Sequence, residues 1–453
     1  MDKHHFLLLS CPAQGHINPT LHLAKLLLRV GVRVTFATFV SGLRRIATLP
    51  TIPGLHFASF SDGYDDGNNS NYSMEEMKRV GSQSLSNLLL SLSNERGPVT
   101  YLIYGFLLPW AATVAREHGI PSAFLSTQSA TVIAVYHRYF KAHDGLFNTE
   151  LGNSLNISLE LPGLPPLKYE DLPSILLPTS PHASVVPSFQ ELIQNLEQDP
   201  NPCVLINTFN ALEEDVIKAL GDFMNVVAIG PLVQLDSSIS CDLFERSKDY
   251  LPWLNSKPEG SVIYVSFGSL ATVQKKQMEE IFHGLMESHR PFLWVIRSIE
   301  SELEEKMNSS LSEEQGLIVQ WCFQVEVLCH QAVGCFLTHC GWNSTMESLV
   351  AGVPVVACPQ FSDQATNAKL VEVWGTGVKA RANEEGVVER EEIKKCLEMV
   401  MEGGEKGDEM RRNANKWKGL AVESMEYGSS GETNLKHFVE SLEIRTHSCK
   451  SHL

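Results

Sequence analysis

Short apolar runs alternate with amphipathic stretches along most of this chain, and this alternation constrains the fold more than any other feature. The pattern predicts a strand at 6–10, a helix at about 18–29 and a second strand at 32–39, and it resumes with a strand at 262–267. Strands that alternate with helices are typical of parallel sheets covered by helices. The sequence therefore predicts an α/β protein.

The chain length indicates two such units. A chain of 453 residues exceeds one ordinary domain and suits two domains of about 200 residues each. A polar stretch at about 234–248 follows the Gly230-Pro231 turn and interrupts the pattern. We therefore predict two Rossmann-like domains and a tail, divided as an N-terminal domain at 1–233, a linker at 234–250, a C-terminal domain at 251–430, and a final helix and tail at 431–453.

The charge balance excludes some partners. A net charge of −17 argues against nucleic acid and against an anionic membrane surface, because both bind clustered cations. The 10 cysteines show no CxxC pair and several lie in apolar strand-like runs, which indicates reduced thiols. No run suits a signal-peptide core or a membrane span. We expect a cytoplasmic protein with no nucleic-acid or membrane partner.

The segment at 321–364, which reads WCFQVEVLCHQAVGCFLTHCGWNSTMESLVAGVPVVACPQFSDQ, carries most of the chemistry. Its leading Trp321 offers a planar apolar face of the kind on which a flat base stacks. His339 ends a predicted strand, and the turn after it leads into a helix that opens at 343–344. A helix start suits a diphosphate through its free N–H groups and its dipole. The terminal Asp-Gln pair follows another predicted strand, where parallel sheets bind ligands. Together these features predict a nucleotide-sugar site.

The same segment resembles the signature segment of plant secondary-product glycosyltransferases, which runs 44 residues from a leading Trp to a terminal Gln or His, as this one does. The resemblance continues through CPAQGHINP at 11–19, PWAATVAREHGIPSA at 109–123, NTFNALE at 207–213 and YVSFGSL at 264–270. The chain is identified as a member of the UDP-dependent glycosyltransferase family. Membership implies the GT-B fold, in which two Rossmann-like domains face each other, with the donor on the C-terminal one and the acceptor on the N-terminal one.

The resemblance also implies donor contacts. Trp321 stacks on uracil, and the backbone of Cys322 bonds the base edge. The residues implied at the ribose are Gln324 and Glu347. Those implied at the phosphates are His339, Asn343 and Ser344, with Ser266 and Ser269 as further hydroxyl donors. Those implied at the sugar are Trp342, Asp363 and Gln364. A terminal Gln is associated with glucose, so UDP-glucose is the expected co-substrate and no separate cofactor is implied.

Simpler interpretations of these residues stay open. Ser344 and Glu347 match an ordinary helix capping box, S-x-x-E. A single Trp after a strand usually belongs to the core, and only the spacing of the segment favours donor contact for Trp321. Ser266 and Ser269 fit a plain strand-ending turn almost equally well.

His16 is the candidate general base. It falls in the predicted turn before Asn18, the expected N-cap of the first helix, and Pro19, its expected first residue. The positive end of a helix disfavours an imidazolium, which keeps the ring neutral and able to accept a proton. An isolated His in a turn is more often incidental. Within AQGHINP, however, the resemblance makes His16 the base that deprotonates the acceptor for inverting attack on the anomeric carbon.

The usual partner of this histidine is missing. The family pairs it with an Asp in the segment that reads YGFLLPW here, and the matching position is Gly105. The carboxylate that orients the imidazole is therefore absent, and Thr127 or Gln128 are candidates to replace it. A carboxylic acid acceptor, with a pKa of about 4, arrives ionised, whereas a phenol at about 10 must lose its proton. Gly105 therefore favours glucose esters over O-glucosides.

The acceptor pocket is expected in loops of the N-terminal half. The candidates are Phe60, Trp110, Phe124, Thr127, Gln128 and Tyr136, although the aromatic ones fit a core position equally well. No Asp-x-Asp motif occurs, and Asp65-Asp66 suits a solvated turn, so we expect metal-independent transfer. A small hydrophobic acceptor and a monomeric enzyme complete the expectation.

Two other functions stay open. A different two-domain nucleotide-sugar enzyme, such as a lipid-linked glycosyltransferase or an epimerase, suits the architecture. The full-length segment argues against it, and a lipid acceptor would require a basic membrane-binding face. The second is a binding protein that kept the donor site and lost turnover with the Asp. A serine hydrolase is disfavoured because no GxSxG elbow occurs.

Overall fold

Two parallel sheets, one from each half of the chain, form the framework of the molecule. The computed structural model describes residues 4–46, 49–67, 73–141, 158–159, 162–177, 180, 183–235, 243–247, 249–271 and 273–448. The predicted linker lies partly outside these residues, so its bounds and those of the flanking domains stay predictions. Within the described residues, no helix is both long and apolar enough to cross a membrane.

The N-terminal half supplies a seven-stranded parallel sheet. The strands of this half are β1 (His5–Leu9), β2 (Arg33–Phe39), β3 (Leu55–Phe60), β4 (Tyr101–Tyr104), β5 (Ser122–Ser126), β6 (Ser158–Leu159), β7 (Leu167–Lys168), β8 (Cys203–Ile206) and β9 (Asn225–Ala228). The sheet order is β3-β2-β1-β4-β5-β8-β9, while β6 and β7 form a separate antiparallel pair. The strand order therefore reverses direction between β1 and β4.

The C-terminal half supplies a six-stranded parallel sheet. Its strands are β10 (Val262–Ser266), β11 (Phe292–Val295), β12 (Gly316–Val319), β13 (Val333–Thr338), β14 (Val355–Ala357) and β15 (Gly377–Lys379). The order is β12-β11-β10-β13-β14-β15, so here the reversal falls between β10 and β13. Ligands of open α/β sheets bind at such reversals, beyond the carboxyl ends of the strands.

Helices connect the strands and cover both sheets. They are α1 (Gln14–Arg29), α2 (Val40–Arg45), α3 (Met74–Arg96), α4 (Trp110–Glu117), α5 (Ala130–Lys141), α6 (Val186–Gln198), α7 (Asn210–Leu220), α8 (Tyr250–Asn255), α9 (Lys275–Glu287), α10 (Ser301–Ser310), α11 (Gln324–Leu328), α12 (Trp342–Ala351), α13 (Gln364–Val373), α14 (Arg390–Met401), α15 (Glu405–Glu423) and α16 (Ser430–Ser448).

Strand β1 shows why the central strands are apolar throughout instead of alternating. Successive side chains of a strand point to opposite faces. Leu7 and Leu9 enter the core on one face of the sheet, while Phe6 and Leu8 enter the core on the other. Both faces are covered, as in other parallel sheets. The second of these cores includes Phe438 of α16, so the last helix packs back on the N-terminal sheet.

The predicted start of the first helix is wrong. Asn18 is not the N-cap: α1 begins at Gln14 after Ala13, and Pro19 lies inside the helix. A proline in a helix has no N–H to donate to the carbonyl four residues earlier, which here belongs to Gly15. That carbonyl is instead used by the other half of the molecule, as described below. His16 therefore lies in the first turn of the helix and not in the loop before it.

Candidate active site

One cleft lies between the two sheets, at the carboxyl ends of their strands. Its volume is about 350 Å³, and loops after β1, β5, β8, β10, β12, β13 and β14 contribute to its wall. The predicted site residues that line it are His16, Thr127, Gln128, Ser266, Ser269, Trp321, Cys322, Gln324, His339, Trp342, Asn343, Ser344, Glu347, Asp363 and Gln364. Residues separated by more than 300 positions in the sequence thus share one site.

His16 lies in this cleft as a neutral base. Burial lowers the pKa of its imidazole to about 4. Its Nδ1 is buried and has no hydrogen-bond partner in the described part of the chain. Thr127 and Gln128 line the same cleft, but neither bonds this nitrogen, so the suggestion that one of them holds the imidazole is wrong. Gln128 instead donates through Nε2 to Ser362 Oγ at 3.5 Å.

The carbonyl that Pro19 leaves free joins the two halves beside His16. Asn343 donates through Nδ2 to the carbonyl of Gly15 at 2.7 Å. Asn343 is the second residue of α12, and Gly15 directly precedes the candidate base. A helix defect in one half thus provides an acceptor for the other half, which fixes the start of α1 against the donor side.

The start of α12 has the features of an anion site. The helix begins at Trp342, with Gly341 as N-cap and no side-chain cap. Its first N–H groups have no carbonyl partner within the helix, and the helix dipole places positive charge there. Ser344 is the third helical residue and not the N-cap, so the capping box it suggested with Glu347 does not form. The helix start is therefore available to a diphosphate.

Ser344, Gln324 and Glu347 form one cluster below this helix start. Gln324 Nε2 donates to Ser344 Oγ at 2.7 Å and to Glu347 Oε2 at 2.5 Å. Tyr264 donates its hydroxyl to Gln324 Oε1 at 3.2 Å. Burial raises the pKa of Glu347 to about 7. The two side chains predicted at the ribose are therefore held together before any ligand binds.

His339 follows β13 and is buried against two glycines. A Cβ atom at Gly268 or at Gly341 would lie 2.6 Å from its Nε2, closer than any side chain allows. Burial lowers the pKa of His339 to about 4. Ser266, at the end of β10, accepts the N–H of Gly268 at 3.4 Å through Oγ. Ser266 thus takes part in the strand-ending turn, which was the simpler interpretation, and also lines the cleft.

Trp342 departs from its predicted role in part. Its indole N–H donates to the carbonyl of Asn207 at 2.7 Å, and the side chain is 2% exposed. The indole N–H is therefore not available to a sugar hydroxyl. The sequence interpretation missed Asn207, which follows β8 in the motif NTFNALE. Its position after a parallel strand was the signal that could have found it.

At the sugar end, Gln364 is held by its carbonyl oxygen. Gln364 Oε1 accepts the backbone N–H groups of Gln360 and Phe361 at 2.8 and 3.0 Å. Within the described part of the chain this leaves Nε2 as its free donor. Asp363 is buried, accepts from Asn367 Nδ2 at 2.8 Å, and has its pKa raised by burial.

This sugar-end loop is also tied to the N-terminal half. Ser362 adopts a left-handed backbone (φ 62°), which is uncommon for a residue with a side chain. Its N–H donates to Ser174 Oγ at 2.7 Å, and its carbonyl accepts the N–H of Ser174 at 2.8 Å. Lys379 and the buried Asp171 form an ion pair of 2.9 Å nearby.

The acceptor end of the cleft is apolar and differs from the prediction. Its lining residues include Phe106, Leu107, Ile175, Val185 and Phe189. None of these was singled out from the sequence, because they come from three separate segments with no shared pattern.

Four predicted acceptor residues lie elsewhere. Trp110, Phe124, Phe60 and Tyr136 belong to the hydrophobic core of the N-terminal half, and none lines the cleft. The placement of Trp110 and Phe124 in the acceptor site is thus corrected, because each side chain is at most 2% exposed. The pair Asp65-Asp66 occupies a turn away from the cleft.

Comparisons with known proteins show the family of this chain. Residues 196–414 match the family model described as UDP-glucoronosyl and UDP-glucosyl transferase. The chain is 50% identical to UDP-glycosyltransferase 75C1 of Solanum lycopersicum, over 97% of this chain and 98% of that protein. It is 45% identical to anthocyanidin 3-O-glucoside 5-O-glucosyltransferase 1 of Perilla frutescens, over 97% of this chain and 99% of that protein.

Solved structures give the same result for the fold. Os79 from O. sativa, crystallised with U2F and trichothecene, superposes with a TM-score of 0.84 at 33% identity, covering 96% of this chain and 100% of that one. The same protein in complex with UDP gives the same score. Both are similar in fold to the two facing Rossmann-like units described above. The chain belongs to the plant UDP-glycosyltransferases of the secondary-product type and has their GT-B fold.

Proposed function

We propose that this enzyme transfers glucose from UDP-glucose, with inversion and without a metal ion, to an acidic oxygen of a small planar apolar acceptor. The observation that carries the proposal is the cleft itself, in which the neutral base His16 and the donor residues of 321–364 line one volume. The acceptor oxygen, which is already ionised in an acid or gives its proton to His16 in a hydroxyl, attacks the anomeric carbon. The bond to the diphosphate oxygen breaks, and UDP leaves with the electron pair.

The donor is held without basic side chains. The lining residues, all within the described part of the chain, include neither Lys nor Arg. The charge that develops on the leaving diphosphate is therefore stabilised by the start of α12 and by hydrogen bonds from neutral groups such as His339. UDP-glucose is favoured because Gln364 ends the segment and presents a donor for a sugar hydroxyl.

The state of His16 favours acceptors that ionise easily. Its pKa of about 4 makes it a weak base, and with Gly105 in place of an Asp, no carboxylate among the residues that the structure describes stabilises its imidazolium. A phenol with a pKa of about 10 gives up its proton to such a base with difficulty, whereas a carboxylic acid is already ionised. We therefore place glucose esters first among the products.

O-glucosides are the second candidate, because of the relatives. Phloretin 4′-O-glucosyltransferase of Malus domestica is 48% identical over 98% of this chain, and its name specifies an O-glucoside, as does that of the Perilla protein. The phenolic hydroxyls of a flavonoid, with a pKa of about 10, are the oxygens of that acceptor that ionise most easily. A monomeric state stays a prediction, and so does the cytoplasm, since a relative at 50% identity is named as chloroplastic.

A product assay separates these candidates. The full chain is incubated with UDP-glucose and a panel of aromatic acids, isoprenoid acids, flavonols and anthocyanidins, and each hexose adduct is treated with hydroxylamine. Labile adducts are glucose esters, and stable adducts are O-glucosides. Single-turnover product from the wild-type chain with a hydroxyl acceptor, absent from His16→Ala with the same acceptor, rejects a non-catalytic binding protein. No product with any acceptor, from protein that binds UDP, would overturn the proposed function.

A further inference from the structure

Residues 243–247, at the end of the predicted linker, cross from one half of the molecule to the other beside Trp321. At one end, the backbone N–H of Leu243 donates to Gln14 Oε1 at 2.9 Å, and Gln14 is the first residue of α1. At the other end, the N–H of Ser247 donates to the carbonyl of Trp321 at 3.0 Å. The segment is thus attached both to the acceptor side and to the residue on which the base is expected to stack.

Phe244, in the middle of this segment, packs on the ring of Trp321. The two ring centroids are 4.6 Å apart, with 37° between the planes. Trp321 lines the cleft and Phe244 does not, so Phe244 covers the indole from outside the cleft. A base does not fit between them, since a third ring would need centroids about 9 Å apart, twice the shortest usual spacing. The indole surface left for uracil is the one on the cleft side.

Polar contacts do not fix the plane of the Trp321 indole. Its Nε1 is buried and, within the described residues, has no hydrogen-bond partner. Phe244, by contrast, is held on a second side by Arg297, whose guanidinium carbon lies 5.8 Å from the Phe244 ring centroid. Arg297 is fixed in turn, because its Nη2 donates to the carbonyl of Ala271 at 2.7 Å. The orientation of the indole therefore depends on the ring that packs on it.

We propose that Phe244 is a positioning residue for the donor base: it packs on Trp321 from outside the cleft and so holds the indole in the orientation in which its cleft-side surface meets uracil. The inference rests on the proposed function, which places uracil on Trp321. A side chain that is already fixed loses little rotamer freedom when a ligand binds, so more of the stacking energy appears as affinity. Phe244 thus sets the affinity for the nucleotide base and not the rate of glucose transfer.

Comparing the binding of uridine diphosphate with that of inorganic pyrophosphate distinguishes an effect on the base from an effect on the phosphates. In Phe244→Ala, the Kd for UDP should rise about 3- to 10-fold, the range expected for one aromatic pair, while inhibition by pyrophosphate stays unchanged. The KM for UDP-glucose should rise in parallel, with kcat within about twofold. Phe244→Tyr keeps a flat ring and should restore UDP affinity. Phe244→Leu keeps bulk without a ring and should stay weak.

Phe223→Ala is the matched control, because Phe223 is 59% exposed and lies outside the cleft lining. This substitution should change the affinity for neither UDP nor pyrophosphate. Unchanged UDP binding in Phe244→Ala would overturn the inference and leave the proposed function intact. Tighter binding would overturn it too, since Phe244 would then occupy the base position. An equal loss of affinity for UDP and pyrophosphate would overturn it as well, since Phe244 would then support the whole donor site and not the base. A wild-type chain that binds no UDP would overturn the proposed function itself.

Discussion

The cleft has a donor wall, formed by residues of the C-terminal half, and an acceptor wall, formed by residues of the N-terminal half. The two walls differ in how many of their polar side chains have hydrogen-bond partners. On the donor wall, Gln324 and Glu347 bond each other, and Gln364 bonds two backbone N–H groups. On the acceptor wall, His16 Nδ1 and Gln128 Oε1 are buried and have no partner among the described residues. The donor wall is therefore largely organised before the ligand binds, with the buried Nε1 of Trp321 as an exception among the described residues, whereas the acceptor wall is less so.

This difference has an energetic consequence. A buried polar atom without a partner costs about 1–3 kcal/mol, so an acceptor or a water that supplies the missing bond recovers that energy. A site that depends on its ligand in this way discriminates strongly between ligands that can and cannot make the bond. We infer that specificity for the acceptor resides at the unsatisfied atoms of His16 and Gln128, and that the largely satisfied donor wall binds one constant donor.

The largest expected effect comes from removing the base, which should affect the acceptor wall and leave the donor wall unchanged. His16→Ala should lower kcat for hydroxyl acceptors by about 10²–10⁴-fold, the usual range for loss of a general base, and leave the Kd for UDP within twofold. His22→Ala is the matched control: His22 is on the same helix, burial also lowers its pKa to about 4, and it does not line the cleft. Loss of UDP affinity together with rate would show that the walls are not independent.

A smaller effect is expected for donor affinity at Glu347. Burial raises the pKa of this carboxyl to about 7, and ribose hydroxyls donate better to the ionised form. UDP affinity should therefore rise several-fold more between pH 6 and 8 in the wild-type chain than in Glu347→Gln, which keeps only the titration of the UDP phosphate and should bind about tenfold more weakly at pH 8. Titration calorimetry at several pH values measures both.

Glu326→Gln provides the control for this titration. Glu326 belongs to the same segment, accepts the hydroxyl of Tyr250 at 2.8 Å and lies outside the cleft lining. Its substitution should leave the pH profile of UDP binding unchanged. The same pH profile in the wild-type chain and in Glu347→Gln would show that Glu347 does not contact the ribose.

The acceptor wall can be made more like the donor wall by Gly105→Asp. A Cβ atom at Gly105 would lie 3.7 Å from the carbonyl of Leu9, an ordinary contact. The family resemblance places the partner of the catalytic histidine at this position, so a carboxylate there should pair with the imidazole of His16 and raise its pKa. Transfer to phenols should rise about tenfold, with transfer to carboxylic acids within twofold. Gly105→Asn, which lacks the charge, should give a smaller gain. Equal gains for both acceptor classes would remove the argument for esters.

The donor wall could be predicted from the sequence because it is largely local. Its residues lie in one stretch of strand, turn and helix, so the spacing from Trp321 to Gln364 already encodes their arrangement. The prediction failed where a distant partner decides the outcome. The indole N–H of Trp342 is used by Asn207, and the base-site Trp is covered by Phe244. No local sequence pattern in the segment indicates either contact.

The acceptor wall was predicted less well for two physical reasons. Pro19 suggested a helix start, because proline is favoured at the first helical position, but the helix already begins at Gln14. The freed carbonyl is compensated from the other half of the molecule, which a sequence does not reveal. In addition, large aromatic side chains serve the core and a pocket equally well, so Phe189 and Trp110 could not be told apart.

The smallest expected effect on catalysis tests whether Trp110 belongs to the core and Phe189 to the acceptor pocket. The Trp110 ring packs against α3, where a Cβ atom at Gly81 would lie 2.7 Å from it, and its Nε1 has no described partner. Trp110→Phe should therefore lose packing but no hydrogen bond, at a cost of about 1–2 kcal/mol in the free energy of unfolding, with acceptor KM and products unchanged. Phe189→Ala, in the cleft lining, should instead alter acceptor KM. Urea unfolding and acceptor kinetics on both variants measure this. If Trp110→Phe redirected the products, the acceptor wall would extend into what the structure places in the core.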